Sequence, residues 1–146
     1  MIVTTHVKKL IQALVLSLTL FYSTAYAELA IIVHPNNTIN NLTIYQVKQI
    51  FLGHNKNFPN GKMAIPIDQE INSKSRFEFY AKVIKKTSAE LKSYWASSSY
   101  TGIRQPPTDG GTDNQIKDLI SENPSFIGYI DSSMIDDHVK VILKIK

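Results

Sequence analysis

Residues Glu28–Val33 read Glu-Leu-Ala-Ile-Ile-Val, a β-branched run in which no polar residue follows Glu28. A strand of this kind has no face to offer to water, so it is buried on both sides. Other elements must therefore cover it above and below, and the rest of the chain has to supply them. His34-Pro35-Asn36-Asn37 ends the run with loop chemistry.

Helices with strong start signals follow. Thr43 and Gln46 have capping-box spacing, with Leu42 and Val47 at the hydrophobic-staple positions. This predicts a helix that buries Ile44, Val47, Ile50 and Phe51 and stops at Gly53. His54–Gly61 is turn-rich, and Ala64–Ile67 is a short buried strand. Asp68–Asn72 reads as a polar loop. A helix runs from about Ser75 to Lys86, with an apolar face of Phe77, Tyr80, Ala81 and Ile84. Its N-cap is Ser73 or Ser75, the latter spaced from Glu78 as a capping box. Thr87 with Glu90 starts a helix carrying Leu91, Tyr94 and Trp95, which Ser97–Gly102 breaks up. Ile103–Thr108 reads as surface loop. Thr112 with Gln115 caps a further helix with Ile116, Leu119 and Ile120 inward and Pro124 past its end. Phe126–Ile130 is a strand. His138–Lys146 is a last one, with Val139, Val141, Leu143 and Ile145 alternating against lysines, the pattern of an edge strand. Strands separated by helices predict an α/β fold: a single three-layer domain with a mixed sheet flanked by helices.

The first 27 residues read as a leader. Lys8 and Lys9 form a charged start, Leu10–Tyr22 an apolar core, and Ala25-Tyr26-Ala27 a cleavage site of small-x-small type. The apolar run is shorter than the roughly 20 residues that span a bilayer, so a cleaved signal peptide is expected rather than a membrane anchor. Residues 28–146 are then one exported domain, most simply a periplasmic one, with a net charge of +2 and no block of like charge. That pattern argues against nucleic acid as a partner. There is no cysteine, hence no disulfide, thiolate metal site, cysteine nucleophile or lipid-anchor cysteine.

Chemistry of the catalytic kind is sparse. The four histidines are scattered without metal-ligand spacing, and Ser97-Ser98-Ser99 lacks a Gly-x-Ser-x-Gly elbow. Asp68 and Glu70 read as solvated loop carboxylates, and Asp136-Asp137-His138 as a turn. No catalytic residue, metal or cofactor is expected. Two segments do share an anion-binding logic. Ser73, Lys74, Ser75 and Arg76 open one helix; Gly110, Gly111 and Thr112 lead into another. Helix starts present unpaired N–H groups and a positive dipole end, and in an α/β sheet such loops gather at the carboxyl ends of strands. Asp113 fills the second dipole end with its own charge. Plain helix capping is the alternative for both.

The motif order resembles a known family. Ala30-Ile31-Ile32-Val33-His34-Pro35, then Asn41-Leu42-Thr43 through Gln49-Ile50-Phe51-Leu52-Gly53, is similar to phosphate-binding proteins of bacterial ABC transporters, in which Asn-Leu-Thr leads to a helix ending Ile-Phe-x-Gly. Phe126-Ile127-Gly128-Tyr129-Ile130 resembles the family's Gly-x-Ile-Gly-Tyr-Val strand. The Tyr94-Trp95 helix and Thr101-Gly102-Ile103-Arg104-Gln105-Pro106-Pro107 resemble short exported proteins of the same type. The resemblance implies one lobe of a type II periplasmic binding protein that holds phosphate or a similar oxyanion through Ser73, Ser75 and Arg76 with Lys74 assisting. It also implies an ABC transporter or another envelope protein as partner. Gln69 stands where the family has an arginine, Lys74 where it has a glycine, and Phe58 where tryptophan is usual. The family's first lobe has no counterpart on the N-terminal side.

Overall fold

The computed structural model describes residues 6–7 and 27–146. Apart from His6, Val7 and Ala27, the expected leader lies outside the described residues. The domain contains β1 (Leu29–Val33), α1 (Ile44–Phe51), β2 (Ile65–Asp68), α2 (Lys74–Phe79), α3 (Ser88–Tyr100), β3 (Thr108–Asp109), α4 (Asp113–Glu122), β4 (Phe126–Asp131) and β5 (Lys140–Ile145). A π-helical turn, Tyr80–Ile84, continues α2 without a break.

The sheet order is β3-β2-β4-β1-β5. β2 runs parallel to β3 and β4, whereas β1 is antiparallel to β4 and β5. The sheet is thus mixed, as expected, and β1 is an interior strand whose five residues are all buried. Leu29, Ile31 and Val33 enter a core shared with α1, α2 and the π turn; Ala30 and Ile32 enter a second core beneath α4. The sequence of β1 demanded these two cores, and each fully buried aliphatic side chain in them is worth roughly 1.5–3 kcal/mol.

Capping chemistry settles most helix starts. Thr43, Thr87 and Thr112 each accept a hydrogen bond from the backbone N–H three residues on, and Gln46, Glu90 and Gln115 close the three boxes. Ser73, not Ser75, caps α2, accepting from the Arg76 N–H at 3.2 Å; Glu78 pairs instead with Lys82.

Several assignments change. Ile44 is 44 % exposed, Phe77 is 74 % exposed, and Ala81 is exposed as well. The inward face of α2 and its π turn is Ser75, Phe79, Val83 and Ile84. The extra residue in the π turn advances the helix surface, so that adjacent Val83 and Ile84 both point inward. Phe79 stacks flat on Tyr129, with ring centroids 4.0 Å apart and planes at 4°, which locks that phase. Ser97–Gly102 does not break α3, which runs to Tyr100 before Gly102 turns the chain at φ +68°. Thr108–Asp109, expected to be loop, pairs with β2. β5 is an edge strand, as its lysines suggest. A bulge opposite Ile31/Ile32 interrupts its alternation, placing Val139 and Val141 on the α4 side and Ile142, Leu143 and Ile145 on the other.

Candidate functional site

Three parallel strands end side by side in carboxylates: Asp68 on β2, Asp109 on β3 and Asp131 on β4. The loops leaving β2 and β3 turn directly into α2 and α4, so two helix N-termini meet over this end of the sheet. The loops are tied together. Gly110 donates its N–H to the Asp68 carbonyl at 2.8 Å, and the Glu70 N–H donates to the Gly111 carbonyl at 3.0 Å.

Asp68 is the centre of the arrangement and a correction to the sequence reading. It is the last residue of β2 and 4 % exposed, not a solvated loop carboxylate. One oxygen accepts from the Gln69 N–H at 2.9 Å and from the Tyr129 hydroxyl. The other accepts from the Tyr80 hydroxyl at 2.6 Å and from Arg76 Nε at 3.2 Å, with Arg76 Nη2 at 3.1 Å. The Arg76 guanidinium also lies 4.6 Å from the centre of the Tyr80 ring. Burial, and then the negative charge on Asp68, pushes the phenols of Tyr80 and Tyr129 above the ordinary tyrosine range. The Asp68 carboxylate is thus fully hydrogen-bonded, as a buried charge must be.

Gln69, 2 % exposed, forms the second tier. Its carbonyl oxygen accepts from the Ser73 hydroxyl; its amide donates to Asp113 at 2.6 Å and to the Tyr129 carbonyl at 2.9 Å. Asp113, the first residue of α4, receives two further hydrogen bonds on the same oxygen, from the Ser75 hydroxyl and the Asp131 N–H, each at 3.1 Å. Asp131 is held below the usual carboxylate range by hydrogen bonds from the Ser133 hydroxyl and N–H, helped by the charge of Lys74. Among the described residues, no buried side-chain nitrogen or oxygen lacks a partner.

The residues named from sequence are therefore brought together, but their present partners are internal. Ser73 bridges Gln69 and the α2 cap, Ser75 (5 % exposed) binds Asp113, and Arg76 is strapped to Asp68. Lys74 is exposed at the mouth. Thr112 caps α4, and the Gly111 N–H is taken by Asp109 at 2.8 Å. Gly110 and Gly111 line an open cavity of about 540 Å³ whose other walls include Asp109, Asp118 and Glu122; that cavity is acidic and repels anions. Asp136, Asp137 and His138 are exposed and clustered in a turn, with Asp136 already paired to Lys117 at 2.6 Å.

Sequence reasoning missed Asp68, Gln69, Tyr80 and Tyr129 as a unit. A faint signal existed. Arg76 and Tyr80 stand four apart on one helix face, and a tyrosine inside an apolar strand needs a buried partner for its hydroxyl.

No protein-family model and no curated protein sequence matches the chain. Solved structures do. A Clostridium perfringens protein named as a phosphate ABC transporter substrate-binding protein, solved with bound phosphate, superposes with a TM-score of 0.64 at 24 % identity over 80 % of this chain and 45 % of its own. An ABC-type phosphate transport receptor from Vibrio cholerae gives 0.63 at 22 % identity, covering 80 % of this chain and 46 % of that one. PstS from Borrelia burgdorferi gives 0.60 at 19 %, covering 80 % and 47 %. The fold is thus that of part of these proteins, and the chain spans less than half of their length.

Proposed function

We propose that residues 28–146 form an exported, non-catalytic solute-binding domain. It takes phosphate or a similar small oxyanion where α2 and α4 begin, and it works beside an envelope transporter. One observation carries this reading: two helix N-termini and the hydroxyls of Ser73 and Ser75 converge at the carboxyl ends of parallel strands, the place where α/β sheets collect ligands. The N–H groups of the first helical turn lack intrahelical acceptors and favour negative charge. Lys74 adds an exposed cation there, and Arg76, anchored by Asp68, adds a fixed one. Similarity of fold to phosphate transport receptors supports the choice of ligand.

Isothermal titration of residues 28–146 with phosphate and sulfate tests the proposal. Saturable binding, weakened about tenfold or more in Ser73→Ala/Ser75→Ala, is expected. Absence of binding, or an affinity unchanged in the double variant, overturns it. The second reading, a protein-interaction module that kept the fold without tight ligand binding, is favoured by one feature. Ile71 and Phe77 are 78 % and 74 % exposed beside the same mouth, where they border a 150 Å³ hollow with Arg76 and Lys86. That reading predicts no heat with either anion.

A further inference from the structure

The hydrogen bonds converging on Asp113 describe what a bound anion would need. A buried primary amide, a buried hydroxyl and a backbone N–H from two separate segments all donate to one carboxylate oxygen, at 2.6, 3.1 and 3.1 Å. The donors lie on the β2–α2 segment and at the end of β4, while the acceptor opens α4. None of these contacts is the ordinary capping of α4, which Thr112 and Gln115 complete by themselves. Charge points the same way. At this junction Asp68, Asp109, Asp113 and Asp131 outnumber Arg76 and Lys74. Removing Asp113 lessens that negative excess, so an incoming anion meets less repulsion.

We infer that Asp113 is a built-in occupant of the anion position, an intramolecular carboxylate that an oxyanion must displace. The inference rests on the solute-binding reading and adds a control to that site. An intramolecular ligand competes at high effective concentration, so the affinity of the chain for free anion is reduced by the fraction of time the carboxylate is swung out. Asp113 is only partly buried, so it can leave toward solvent while Gln69 and Ser75 stay in place.

The test uses residues 28–146, which hold both cores and all five strands, with formate, acetate, phosphate and sulfate as probes. Asp113→Ala should be less stable than the wild type and regain thermal stability as anion is added, a response the wild type shows weakly or not at all. Its phosphate affinity should exceed that of the wild type by about tenfold or more, and adding Ser75→Ala should abolish the gain. If Asp113→Ala fails to fold, Asp113→Asn keeps an acceptor on the same stem and should show the same direction of change. A destabilised variant without anion-dependent recovery overturns the inference and leaves Asp113 a purely structural residue. The two claims separate cleanly. Wild-type binding through Ser73 and Ser75 that Asp113→Ala does not improve sinks the inference alone. Binding by the variant with none by the wild type supports the inference and removes the wild-type chain as a receptor; no binding and no recovery in either overturns both.

Discussion

Replacing Asp68 by alanine should be among the most damaging single changes at the mouth of this domain. The carboxylate is 4 % exposed and receives hydrogen bonds from the Gln69 N–H, Tyr129, Tyr80 and Arg76. Hydrogen bonds to a charged acceptor are worth about 1.5–3 kcal/mol each. Their sum is not the prediction, because the donors partly recover. The Arg76 side chain is 21 % exposed and can rehydrate, and Tyr80 is only partly buried. Tyr129 cannot; its hydroxyl stays inside the sheet and keeps only a 3.3 Å contact from the Gln69 N–H. Breaking a buried pair costs about 3–5 kcal/mol, and the partial exposure of Arg76 sets the expectation near the low end, about 3 kcal/mol. Against a total stability of roughly 5–15 kcal/mol that is a large share, and for a domain of this size it lowers the melting temperature by roughly 10–20 °C. Urea unfolding followed by circular dichroism measures it. Tyr80→Phe, which removes one 2.6 Å bond to that carboxylate, should cost about 1.5–3 kcal/mol. The double variant should cost at least ~0.5 kcal/mol less than the two single changes added. An Asp68→Ala cost below about 1 kcal/mol with an unchanged urea slope would refute the idea that this carboxylate anchors Arg76 and the sheet end.

Two further outcomes follow from the same geometry. Gly110→Ala should cost about 1–3 kcal/mol by overpacking, because a Cβ there would sit 2.4 Å from Ile67 Cγ2 and 2.7 Å from Ile116 Cδ1; thermal unfolding checks it, and a neutral result would mean the β3–α4 loop shifts freely. At alkaline pH the direction is set by Tyr80 and Tyr129, whose folded phenols are raised by burial and by Asp68. The unfolded chain releases these protons near pH 10 while the folded one keeps them. Their contribution is therefore whole below about pH 10 and lost as pH rises beyond it. Phenolate absorbance should show two tyrosines that ionise only with unfolding, a feature lost in Tyr80→Phe/Tyr129→Phe.

Local chemistry was legible in the sequence wherever cause and effect lie within one turn. Thr43, Thr87 and Thr112 cap helices because an oxygen on Cβ reaches an N–H three residues on, whatever the rest of the chain does. The all-apolar β1 required two cores, and the strand–helix order required an α/β sheet. The family resemblance pointed to the same architecture, which the superposition on phosphate transport receptors bears out as a fold. Facing positions were less legible. Phe77 was read inward because a regular 3.6 period was assumed, and the π turn at Tyr80–Ile84 does not announce itself in residue types. The β5 bulge misled in the same way, since one extra residue reverses an alternating face.

What the sequence determined by itself is the kind of layers and where most helices start, because those follow from side chains acting on their own segment of backbone. What only the tertiary structure decided is how the side chains at the carboxyl ends of the strands are bonded to one another. Gln69 and Asp113 are separated by 44 positions, Ser75 and Asp113 by 38, and Asp68 and Tyr129 by 61. No local rule pairs them. They meet because β2 lies parallel to β4 and carries α2 across to the start of α4. There Ser75, which read as an anion donor, is satisfied by a carboxylate of the chain itself, and Ser73 by the side-chain amide oxygen of Gln69.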